Sequence, residues 1–157
     1  MLELLRESLK KRAERQRGQQ FLEATMAASA LVAYADGAIS FAERMRLDQI
    51  LEQLHALQAF EVHAAIDRFN DFIEALETRP DEGRAKALEA VRVFSGDGAE
   101  SRLLIRAACA LCIADDDFSE AEQHQVAELC AALKIRPEDC DLEEIIRPRV
   151  EGSEIGS

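Results

Sequence analysis

Apolar residues recur along this chain at intervals of three and four, the spacing of one face of an α-helix. Residues 2–16 set Leu2, Leu5 and Leu9 on one side and basic residues over much of the other, which predicts a short amphipathic helix ending near Gly18. From Phe21 the chain enters ATMAASALVAYA, Ala24 to Ala35, apolar all round and therefore suited to the centre of a bundle. Asp36-Gly37 should stop it, glycine being the residue that accepts a left-handed cap. A third helix is expected from Ser40 to about Leu54, with Leu47, Ile50, Leu51 and Leu54 facing inward. Val62, Ile66, Phe69, Ile73 and Leu76 define a fourth, closed by Pro80. A fifth covers 81–95 and ends at Gly96-Asp97-Gly98, and a sixth, Ala99 to Ala114, contains the nearly all-apolar LLIRAACALCIA. Ser119 begins a seventh that runs to Leu133, and Pro137 starts a short terminal helix.

The pattern also repeats. Residues 26–56 laid over 105–135 match a central apolar helix to a central apolar helix and an amphipathic helix to an amphipathic helix, and ADGAISFAE (Ala35 to Glu43) is identical to ADDDFSEAE (Ala114 to Glu122) in five of nine places. Inner positions correspond as well: Leu47 with Val126, Ile50 with Leu129, Leu54 with Leu133. The expected fold is thus all-α, a single-domain helical bundle of about seven to eight helices with an internal pseudo-twofold repeat. We divide it into a basic amphipathic N-terminal helix (1–19), the helical domain (20–147) and a flexible C-terminal tail (148–157).

Composition sharpens this. With 7 Gly and 3 Pro in 157 residues and 5% aromatics, the chain favours helix and gives strands little to pack. The longest uncharged run is too short to cross a bilayer, and no basic-then-apolar leader opens the sequence, so a cytoplasmic protein is expected. Six bases in residues 1–20 (Arg6, Lys10, Lys11, Arg12, Arg15, Arg17) against Glu3, Glu7 and Glu14 make that segment +3, leaving −15 on the remainder of a chain whose total is −12. Such a body repels nucleic-acid phosphates and attracts cations or basic partners.

The repeated loop is where chemistry can enter. Ser40-x-x-Glu43 and Ser119-x-x-Glu122 are capping boxes, in which serine accepts from the N3 amide and glutamate from the cap amide. The aspartates need another reason. Asp36 and the run Asp115-Asp116-Asp117 fall at helix C-termini, where exposed carbonyls disfavour a carboxylate by about 0.3–1 kcal/mol. A divalent cation such as Ca²⁺ or Mg²⁺ would compensate through Asp36 and Glu43, or Asp115, Asp117 and Glu122; a basic partner would do the same. The spacing is not that of an EF-hand, and aspartate also forms turns unaided, so turn structure, cation and partner all remain open.

Nothing here suggests catalysis. Cys109-x-x-Cys112 lies inside an apolar helix, aligned with Ala30 and Ala33 of the first copy, which fits buried structural thiols rather than zinc or redox chemistry. His55, His63 and His124 are scattered on charged faces, and no phosphate loop, nucleophile elbow or HExxH occurs.

The doubled A-D-[GD]-x-[IF]-S-x-x-E signature, the apolar helix before each copy, FNDFIEALETRP and the PEDCDL tail together resemble the tellurite-resistance TerB family over roughly residues 20–142. The same signature occurs in TerB-like modules of DnaJ-type co-chaperones, but this chain has no His-Pro-Asp tripeptide. The resemblance implies a non-enzymatic stress-response protein with metal bound at the loop positions Asp36, Glu43, Asp115 and Glu122, acting with a TerC-type membrane protein and TerD-like proteins. Asp116 stands where the loop glycine is expected. The Leu-striped, basic first twenty residues suit peripheral contact with the inner membrane or with a partner, and equally a solvated helix packed on the body. The alternative is an acidic protein–protein interaction module with no specific metal.

Overall fold

Ten consecutive residues of one helix, Ala24 to Ala33, are buried on every side, and the other helices are arranged around them. The computed structural model describes residues 2–37, 39–41, 44–49, 62–113 and 118–144. The central segment is the C-terminal third of α1 (Leu2–Ala33). Residues 44–49 form the described part of α2, followed by α3 (Val62–Thr78), α4 (Pro80–Arg92), α5 (Gly98–Cys112) and α6 (Glu120–Leu133). Two 3₁₀ turns, Pro137–Cys140 and Leu142–Glu144, complete the described chain.

α1 packs chiefly on α5, α4 and α3, and α6 lies across α4 and α5. Small residues make the approach close. Ala24, Ala27, Ala28 and Ala30 of α1 and Ala108 and Cys109 of α5 are buried, and the Cys112 thiol donates to the Ser29 carbonyl at 3.2 Å. The larger side chains, Phe69, Phe94, Met26, Leu104, Ile105, Leu129 and Leu133, fill the space between these backbones. α3 and α4 meet at Gly83, where a Cβ would stand 2.6 Å from the Ala75 carbonyl carbon and 2.7 Å from the Leu76 nitrogen.

Two expectations about helix number fail. Six α-helices are present among the described residues, not seven to eight. The first two predicted helices are one, because Gly18 does not end α1: glycine in a helix interior costs only about 1 kcal/mol against alanine, and the residues either side of it are ordinary helix formers. At the other end, Pro137 opens a 3₁₀ turn rather than an α-helix. Asp141 adopts a left-handed backbone (φ 51), and Arg106 of α5 holds the turn by donating to the Cys140 and Asp141 carbonyls at 2.8 and 3.0 Å. The internal repeat is partial among the described residues: α1 and α5 each bring an apolar helix to the centre, but α1 carries a long exposed extension that α5 lacks. The proposed tail, 148–157, lies outside the described residues.

Among the described residues no helix is long and apolar enough to cross a membrane.

Candidate functional site

After Ala33 the chain leaves α1 through a turn in which Gly37, at φ +89, donates its N–H to the Tyr34 carbonyl at 2.9 Å. Only a residue without a Cβ takes this backbone conformation without strain. Asp36 sits in that turn and is exposed. Ser40 follows; its carbonyl accepts from Arg44 N–H at 3.1 Å, beginning the intrahelical ladder of α2.

The second loop leads into α6. Ser119 Oγ accepts from Glu122 N–H at 3.1 Å, and Glu122 Oε1 accepts from Ser119 N–H at 2.9 Å, so the two satisfy each other's orphan amides. The Ser119 hydroxyl also reaches the first loop, donating to Asp36 Oδ1 at 3.4 Å. The two loops therefore touch: Asp36 of the first and Ser119 and Glu122 of the second share one corner of the molecule, where the end of α1 meets the start of α6. Glu43, Asp115 and Asp117, the other candidate ligands, lie outside the described residues, as does Asp116.

What this corner can hold follows from the oxygens on offer. Asp36 gives an exposed carboxylate, whereas one oxygen of Glu122 is committed to the cap. Among the described residues no three His, Cys, Asp or Glu side chains are grouped to hold a metal ion. A hard divalent cation takes six or more oxygens, so Asp36 and Glu122 do not complete a site by themselves.

Beside the corner lies a cleft of about 280 Å³ between α1, α4 and α6, lined in part by Tyr34, Arg84, His124, Gln125 and Glu128. Arg84 donates to Gln125 Oε1 at 3.0 Å and pairs with Glu128. Gln125 is 6% exposed, and its Nε2 has no acceptor among the described residues. The sequence carries no sign of this group, since Arg84 reads as an ordinary charge on an amphipathic helix and its partners lie more than forty positions away.

The four cysteines are all buried thiols. Burial pushes Cys109 well above the ordinary thiol range, and burial together with the neighbouring Cys140 pushes Cys130 from 9.0 up to about 12. Nucleophilic thiolate is thus suppressed at neutral pH. The sign of the linkage is definite: a thiol that holds its proton more tightly when folded stabilises the fold below pH 9, and that contribution is lost as pH rises from 9 through 12. Urea unfolding across this range should show falling stability, less steeply in Cys130→Ala; equal slopes for the two proteins would refute the assignment.

No curated protein and no solved structure gives a significant match, but the family model described as tellurite resistance protein TerB matches residues 22–144. That stretch runs from the buried segment of α1 to the last 3₁₀ turn and takes in both loops. The chain therefore belongs to the TerB family of tellurite resistance proteins.

Proposed function

We infer that the protein serves a TerB-type stress response by binding rather than by catalysis, with the acidic corner as the binding surface and a divalent cation as its ligand. The observation that carries this reading is the Asp36–Ser119 contact, which joins two loops 83 residues apart in sequence. The end of α1 and the start of α6 then belong to one face, and Asp36 lies on it as a cation ligand; Glu43, Asp115 and Asp117 are further candidate ligands from the sequence. The helix C-terminus behind Asp36 adds its own negative potential, so a positive ligand relieves repulsion already present. By family resemblance, the assembly in which this would operate includes a TerC-type membrane protein and TerD-like proteins.

A second reading is favoured by Glu122, whose carboxylate is engaged in the cap. With that ligand reduced, the same face would meet a basic segment of a partner and hold no specific ion.

Titration with Ca²⁺, Mg²⁺, Mn²⁺ and Zn²⁺, followed on the backbone amides, distinguishes the two. Cation binding predicts saturable shifts confined to residues near 34–40 and 118–122, weakened about tenfold or more by Asp36→Asn, since a bond to a charged group contributes about 1.5–3 kcal/mol. Shallow shifts spread over all the acidic residues would reject it and leave the partner-binding surface.

A further inference from the structure

The first half of α1 has no role in the core. Every residue from Leu2 to Gln16 is exposed, so about 22 Å of helix stands clear of the body at 1.5 Å per residue. The free part ends at Arg17, where the chain is pinned: its guanidinium pairs with Asp97 at 3.2 Å and Glu100 at 2.9 Å and lies 4.3 Å above the Phe94 ring. Four leucines occupy the free part, and they are among the most exposed apolar side chains of the described protein: Leu2 at 80%, Leu4 at 70%, Leu5 at 57% and Leu9 at 56%.

Three of them are ordered on one face, while Leu4 falls on the opposite side beside Lys11. At about 100° per residue, Leu2, Leu5 and Leu9 share one face with Ala13. Arg12 borders that face on one side and Arg6 on the other, with Lys10 beyond Arg6. Glu3, Glu7 and Glu14 fall together on the opposite face. An apolar stripe flanked by bases, with the acids turned away, suits a helix lying in the plane of an anionic bilayer surface: the leucines enter the boundary between headgroups and acyl chains while the bases meet lipid phosphates. A second copy fits less well, because an antiparallel partner would set like-charged flanks against each other.

We propose that residues 2–16 of α1 form an arm that docks the protein, peripherally and reversibly, on membranes rich in anionic phospholipid. The arm lies at the opposite end of α1 from the acidic corner, and the proposal stands or falls independently of cation binding there.

The test is co-sedimentation of the full chain with vesicles of phosphatidylcholine alone and of phosphatidylcholine mixed with phosphatidylglycerol, with light scattering on the same samples. The protein should bind the mixed vesicles and not the neutral ones, and should come off as salt is raised. Leu5→Ser and Leu9→Ser should each weaken binding about tenfold, the lower end of what burying a leucine contributes; Arg6→Glu with Arg12→Glu should abolish it. All four positions are exposed, so the body and its melting temperature should not change. The chain has no tryptophan, so Leu5→Trp supplies a single reporter whose emission should shift to the blue on mixed vesicles only. Absence of binding overturns the proposal, as does binding that the leucine substitutions leave intact. A dimer that the leucine substitutions dissociate, with no affinity for vesicles, overturns it in favour of self-association.

Discussion

Phe94→Ala should destabilise the protein by about 3–5 kcal/mol, the usual loss on truncating a buried phenylalanine. Phe94 is fully buried in the turn between α4 and α5 and is shared by three helices. Its ring meets Phe21 of α1 edge to face, with centroids 5.5 Å apart and planes at 88°, and carries the Arg17 guanidinium on its face. Its carbonyl accepts from the buried Ser101 hydroxyl at 2.7 Å and from Asp97 N–H at 3.1 Å, which sets the start of α5. Truncation removes packing on α1 and unseats the Arg17 ion pairs together, so the effects of Phe94→Ala and Arg17→Ala should be coupled rather than additive. Against a net stability of about 5–15 kcal/mol, the melting temperature should fall by roughly 10 °C or more. Calorimetry is the direct check, and a loss below about 1 kcal/mol would contradict the packing described.

Gly83→Ala should also destabilise, by about 1–3 kcal/mol, although glycine to alanine in an exposed helix interior stabilises by about 1 kcal/mol. The reversal of sign has a geometric cause. The new Cβ would fall 2.6–2.7 Å from backbone atoms of Ala75 and Leu76, and backbone, unlike a side-chain tip, cannot swing aside. α3 and α4 must separate, where Leu76 of the one and Ala87 and Leu88 of the other are buried. Gly18→Ala is the matched control: its Cβ would meet nothing within 4 Å, so it should stabilise or do nothing. Urea midpoints of the two variants should move in opposite directions or differ clearly; a parallel shift would mean that Gly83 is not a packing residue.

The contrast between these glycines also shows what could be read from the chain alone. Periodicity found α3, α4, α5 and α6 close to their observed limits because each has an apolar face and a strong stop: Pro80 after α3, Gly96 after α4, Ser119 before α6. It divides α1 in two, because the pattern changes character near Gly18 from amphipathic to apolar all round, and a change of environment has the same signature as a change of element. Pattern cannot separate a helix that leaves the core from a helix that stops. The acidic corner was legible only in parts. Ser119 and Glu122 announce themselves as a capping box within four residues, whereas the Asp36–Ser119 contact depends on how the ends of α1 and α6 are brought together in space. Nor does any local signal single out Arg84 and Gln125, whose pairing bridges α4 and α6.

The unbroken run of α1 sets the phase between its ends. A rod of 32 residues is about 48 Å long and turns by about 100° with each residue. The compass bearing of Leu2, Leu5 and Leu9 is therefore locked to that of Ala24–Ala33, which the core grips on all sides. Removing one residue between Gln16 and Gln20 would shorten the rod by only about 1.5 Å but would swing the leucines more than a quarter of a turn around its axis. Along this stretch, Arg17 apart, the chain should tolerate substitution far better than insertion or deletion.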